Sequence, residues 1–130
     1  MRKLWILIAA LAVVALFATC SLLTKTTIDD CINNFMGDIN GDHGSVYKNL
    51  DSSSTLYAEA LTAAYWDIPF PSSDSYSLSG RSTSGSTVTA TLSSGTLYSG
   101  GVSIVFTMST DATGNAVIHS ITVAGIPIFN

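Results

Sequence analysis

The sequence predicts an α+β domain in which N-terminal helices pack on one face of a curved antiparallel β-sheet of about four strands. Three observations lead there. Apolar residues recur with a helical period from Ile28 to Ile39, and from about Tyr76 onward the period falls to two, as in half-buried strands. From Cys20 to the end there are 111 residues, the size of one ordinary domain. Helices first and strands afterwards argue for segregated layers, with the helix covering one face of an antiparallel sheet. A pure β-sandwich is the alternative, and the chain holds too few strand candidates for it.

Residues 1–20 stand apart from that domain. Met1-Arg2-Lys3 is followed by fifteen apolar residues, Leu4 to Ala18, with no polar face to make them a surface helix. A charged start and a short hydrophobic run are the marks of an export signal. The segment Leu16-Phe17-Ala18-Thr19-Cys20-Ser21 resembles the lipobox of bacterial lipoproteins, with Thr19 where Gly, Ala or Ser is usual and Phe17 where Leu is usual. The resemblance implies lipidation of Cys20 and anchoring in membrane lipid through the N-terminus. An uncleaved anchor from Leu4 to Leu23 is the alternative, since twenty residues suffice to cross a bilayer. Release by an ordinary signal peptidase is a third. Residues 21–26 read as a tether, and 27–130 as a single α+β domain.

Thr27 is placed to cap a helix whose first turn carries Asp29 and Asp30, favoured by the helix dipole. Ile28, Cys31, Ile32, Phe35, Met36 and Ile39 then form one apolar stripe, and Asn40-Gly41-Asp42-His43-Gly44 ends it. Val46, Tyr47 and Leu50 predict a short second helix over Ser45 to Leu50. Asp51-Ser52-Ser53-Ser54 breaks it and precedes a third, from Thr55 to Tyr65, with Leu56, Ala60, Leu61 and Ala64 toward one side.

Four strands follow. Tyr76 and Leu78 alternate with serines; Val88, Ala90 and Leu92 alternate with threonines; Val102, Ile104, Phe106 and Met108 give the strongest strand. Asp111-Ala112-Thr113-Gly114-Asn115 is a hairpin turn by composition. The last strand is expected to place Val117, His119, Ile121 and Val123 on one face and Ile118, Ser120 and Thr122 on the other, before Gly125 and Pro127 end regularity.

This order of elements resembles the NTF2-like (cystatin-like) superfamily, a cone-shaped α+β fold, and its small bacterial lipoprotein members in particular. The likeness spans Thr27 to about Phe129, through the Tyr65-Trp66 cluster and the closing Asn115-Ala116-Val117-Ile118-His119-Ser120-Ile121. It implies a pocket between sheet and helices that serves small-molecule or protein binding. The polar side chains that enzymatic members carry inside the cone are replaced here by Ser, Thr and aliphatics, so no catalytic residue carries over.

Composition narrows the function further. From Cys20 onward Lys25, Lys48 and Arg81 oppose nine acidic side chains, a formal charge of −6. That excludes the basic footprint nucleic-acid binding requires and disfavours docking on anionic lipid by charge. Cys31 fits a small buried hydrophobe; a disulfide to Cys20 would exclude the lipid. Asp38, Asp42 and His43 share a loop that lacks calcium-loop spacing and its bidentate Glu, so no metal site is expected. No Gly-x-Ser-x-Gly elbow occurs, and no cofactor motif was found.

The pocket, if lined by these elements, would use Tyr47, Tyr65, Trp66, Phe70, Tyr76, Phe106 and His119. The aromatics, with Tyr57, serve equally as the core of a small domain. The expectation is therefore a non-catalytic domain, tethered on the extracytoplasmic side of the bacterial cell envelope, that binds an envelope protein or small ligand. Two alternatives stand beside it. A structural or adhesive surface protein would show a filled core without a cavity, and an exposed apolar patch or unpaired strand edge near Leu97 to Val102. A small NTF2-like hydrolase or isomerase would show His119 hydrogen-bonded to a carboxylate in a closed pocket.

Overall fold

The computed structural model describes residues 25–128. Cys20, the lipobox-like segment and the expected anchor lie outside the described residues. Helix α1 (Ile28–Asn40) forms where the stripe predicts it. The Thr27 hydroxyl accepts the Asp30 N–H at 3.2 Å, and Cys31, Ile32, Phe35, Met36 and Ile39 are its buried residues. Among the described residues no helix is long and apolar enough to cross a membrane.

The second predicted helix is a 3₁₀ helix, His43–Asn49, two residues longer at its start. The Asp42 side chain accepts the Gly44 N–H, which tightens the entry into a three-residue turn. The third is broken into α2 (Thr55–Glu59) and α3 (Ala63–Trp66). A continuous helix would use the Ala60 carbonyl for its own ladder; here that carbonyl accepts the Trp66 indole N–H at 2.9 Å. The chain folds back over the indole, which is fully buried, and Leu61 and Ala64 are exposed rather than core-facing.

The sheet is antiparallel and open, with order β1-β2-β3-β4-β5. Its strands are β1 (Tyr76–Ser84), β2 (Thr87–Ser94), β3 (Val102–Thr110), β4 (Ala116–Val123) and β5 (Ile126–Pro127). Five strands replace the expected four, because Gly125 at φ +81° turns the chain back so that Ile126 pairs with Val123. Val88, Ala90, Leu92, Ile104, Phe106 and Met108 point to the helices, while Thr87, Thr89, Thr91 and Ser103 point away.

One expectation about β4 is corrected. Thr107 pairs with Ser120 and Met108 with Ile118, so His119 is an extra residue, a β-bulge. Before the bulge the period-two assignment inverts at Ile118; beyond it Ile121 and Val123 face the core as expected. Ile118 joins Ile121 and Val123 in the core, and the His119 side chain is 48% exposed.

The two sheet edges differ. β4 is flanked by β5 at one end and at the other by Leu50, which bridges Ile118, while the Asp51 N–H donates to the Ile118 carbonyl. The open edge is β1, not the segment near Val102, which lies inside the sheet against Leu92. That edge is interrupted between Ser79 and Ser82, and at its start the Asn40 amide pairs with both backbone groups of Tyr76, at 2.7 and 2.8 Å.

The core fills the space between α1 and the sheet. Phe35 sits at its centre with Trp66, Phe70 and Phe106 edge-on at 5.6–6.1 Å. Edge-to-face pairs of this kind add to the gain from burial. Phe70 continues the cluster to Tyr76 and Tyr98.

Candidate binding groove

None of the seven residues expected to line a pocket is among the residues lining the groove described below. Trp66, Phe70 and Phe106 are fully buried in the aromatic core, and Tyr76 is nearly so, its hydroxyl donating to the Pro71 carbonyl at 2.7 Å. Tyr65 packs on Trp66 and donates to the Ile128 carbonyl, and half-buried Tyr47 packs on Tyr57. Together with the aliphatic side chains of helix α1 and the sheet, these rings fill the space between the two layers. His119 is on the surface beside Asp51.

A polar groove of about 560 Å³ is built from three elements, two consecutive helices and a distant β-hairpin. Helix α1 supplies Asn33, Asn34, Gly37 and Asp38, which stand beside its buried stripe at i, i+1, i+4 and i+5. The 3₁₀ helix supplies Ser45, Lys48 and Asn49, and the β3–β4 hairpin supplies Asp111 and Asn115 to Val117. Gly37 leaves this wall open, since a Cβ there would meet nothing within 4 Å.

The groove is held in shape by its own hydrogen bonds. Asn49 donates to Asp38 at 2.8 Å and to the Val46 carbonyl, tying the 3₁₀ helix to α1. Asp111 accepts the N–H groups of Asn115 and Thr113 and the Thr113 hydroxyl. The Asn115 N–H first, then the Thr113 hydroxyl, hold the Asp111 carboxyl below its ordinary range. The chain enters the domain at this hairpin. Thr26 gives its N–H to Asn115 and its carbonyl to the Ala116 N–H, and Lys25 donates to the Thr113 carbonyl at 2.8 Å.

Cys31 touches the groove from below. Burial pushes its thiol up to about 11, and its sulfur donates to the Asn49 carbonyl, which fits a small buried hydrophobe. The loop residues Asp38, Asp42 and His43 diverge. Asp38 takes Asn49, Asp42 caps the 3₁₀ helix, and His43 turns inward between Asp67 (2.6 Å) and the Ile39 carbonyl (2.8 Å). Among the described residues no group of three or more His, Cys, Asp or Glu side chains is arranged to hold a metal ion.

Asp51 gathers a second polar cluster outside the groove. One carboxylate oxygen accepts the N–H and hydroxyl of Ser53; the other accepts the Ser109 hydroxyl at 2.8 Å and faces His119 Nδ1 at 3.0 Å. The His119 contact foremost, with the serine bonds, holds the Asp51 carboxyl well below the usual carboxylate range. Among the described residues neither histidine is hydrogen-bonded to a hydroxyl or thiol.

The groove residues were not singled out by sequence reasoning. The signal present was the amide-rich flank of α1, Asn33-Asn34 next to Gly37-Asp38, which an amphipathic helix ordinarily fills with long charged side chains. No family model, no curated protein and no solved structure matches this chain.

Proposed function

We propose that the chain is a membrane-tethered, extracytoplasmic binding domain of the bacterial cell envelope, anchored by lipid on Cys20, whose groove takes a polar ligand or a hydrophilic segment of an envelope protein without chemical change. The observation that carries this reading is the groove's lining. Carboxamides from three elements, one ammonium (Lys48) and the carboxylates of Asp38 and Asp111 converge on one concavity of ligand size. Carboxamides offer a donor and an acceptor side by side, which suits amide and hydroxyl groups of peptides and sugars. The order of helices and meander supports the NTF2-like layout, with the groove at the sheet's end in place of a hollow cone.

A filled aromatic core and an open β1 edge favour the structural or adhesive reading second. The hydrolase reading rests on the Asp51–His119 contact alone, which lies on the surface rather than in a closed pocket. Gly37→Leu tests the groove, since the new side chain enters open space and leaves the core untouched. Full-length protein, extracted in detergent, is screened against short peptides and neutral oligosaccharides by amide chemical shifts. Shifts at Asn34, Ser45 and Asn115 that vanish in Gly37→Leu support the proposal; ligands that bind both proteins alike overturn it. An intact mass lacking the lipid increment on Cys20 removes the anchoring part separately.

A further inference from the structure

The described domain has a second pole, and its chemistry is opposite to that of the groove. Of its large apolar side chains four are markedly exposed, and three of them, Ile68 (79%), Ile126 (68%) and Leu97 (51%), lie at the end away from chain entry. Leu97 is in the β2–β3 connection, Ile126 follows the β4–β5 turn, and Ile68 follows α3. Single exposed aliphatics are ordinary on protein surfaces. Hydrogen bonds of their neighbours hold the three segments close together. Tyr98, next to Leu97, donates its hydroxyl to the Pro69 carbonyl beside Ile68. The Ile68 N–H bonds the Tyr65 carbonyl, and the Tyr65 hydroxyl bonds Ile128, two residues from Ile126.

The cations are segregated along the same axis, while acidic side chains occur at both ends, among them Asp29, Asp38 and Asp111 near chain entry. The three basic side chains in the described residues belong to the entry half: Lys25 on the β3–β4 hairpin, Lys48 in the groove, and Arg81 held by Asp29 and Asn33 of α1. The distal pole carries Asp67, half-exposed beside Ile68, and Asp74, bound to the Leu97 N–H. Two such poles would repel each other, and a basic partner would be drawn in.

We infer that the pole formed by Ile68, Leu97 and Ile126 is a protein-docking surface for a partner with an apolar cleft rimmed by Lys or Arg. β3 has nine residues, and at about 3.3 Å per residue this surface stands some 30 Å from chain entry. A tethered molecule would therefore present it outward, while the groove stays near the anchor.

The test is a titration of full-length protein, methyl-labelled at Ile and Leu, in neutral phosphatidylcholine nanodiscs. The probes are an 18-residue amphipathic Leu/Lys peptide and its Leu/Glu counterpart, with empty nanodiscs as reference. Saturable shifts are expected at Ile68, Leu97 and Ile126 with the Lys peptide, at least tenfold weaker with the Glu peptide. Ile68→Ser with Ile126→Ser should weaken binding at least fivefold, and so should Leu97→Ser alone, an exposed change that leaves the core intact. Ser99→Lys, which adds a cation to the exposed β2–β3 connection, should weaken it too. Equal response to both peptides, shifts confined to the groove, no response, or pole-to-pole association of the protein with itself would each overturn the assignment.

Discussion

Replacing Asp51 should cost more than any other surface substitution in the domain. Its carboxylate accepts four hydrogen bonds, two within its own turn from Ser53 and two across the sheet, from Ser109 on β3 and His119 on β4. Hydrogen bonds to a charged group contribute about 1.5–3 kcal/mol when shielded. The Asp51 side chain is 16% exposed, so the Ser109 bond is worth about 1.5 kcal/mol; the His119 contact, half in water, about 0.5. The Ser53 pair in the exposed turn adds roughly 1 kcal/mol. Asp51→Ala should therefore lose about 3 kcal/mol, a fall in Tm of roughly 10–20 °C for a domain of this size. Asp51→Asn keeps the Ser53 bonds through its carbonyl and should lose about 2 kcal/mol.

The assay is urea unfolding followed by the fluorescence of buried Trp66 in a Trp5→Phe background. A carboxyl held below its ordinary value stabilises the folded state above that value and ceases to do so as pH falls. The gap between wild type and Asp51→Asn should therefore be full at pH 7 and shrink as pH drops below about 4. A cost for Asp51→Ala under about 0.5 kcal/mol, or a gap independent of pH, would refute the cluster as a clamp between the 3₁₀ helix and the sheet.

Three further outcomes are expected. Phe35→Ala, at the meeting point of three rings, should destabilise by about 3–5 kcal/mol in the same urea assay. Gly37→Ala, with no neighbour within 4 Å of its new methyl, should stabilise by about 0.5–1 kcal/mol, read as a rise in urea midpoint with unchanged slope. The Ser94 hydroxyl and Leu97 N–H hold the Asp74 carboxyl down at about 2. Asp74→Ala should lower the amide protection factors of Thr96 and Leu97 at neutral pH, and acidifying the wild type toward pH 2 should lower the same factors, each taken relative to the intrinsic exchange rate at that pH.

What the chain revealed in advance depended on the range of the forces involved. Helix α1, its Thr27 cap and the alternation of β2 and β3 were legible because each is set by neighbours within a few residues. The β4 faces were misassigned because one inserted residue, His119, inverts a period-two pattern without leaving a mark in composition. The split of the third helix follows from the indole of Trp66 claiming the Ala60 carbonyl, a choice made only once the core has formed. Aromatic residues looked the same whether they line a pocket or fill one. The groove escaped notice since Asn34, Lys48 and Asn115 meet only through tertiary structure.

Asn40 and the interruption of β1 have a bearing on crowding. Copies tethered to one membrane would collide side by side at high local concentration, where an unguarded strand recruits its neighbour. Here the first edge residue, Tyr76, already has a partner in the Asn40 amide, and the rest is cut into runs of Tyr76–Ser79 and Ser82–Ser84. Neither run matches the five to six residues of a typical strand. Asn40 is thus a placeholder for a missing sixth strand, and its loss would first show as sheet-to-sheet polymers rather than as unfolding.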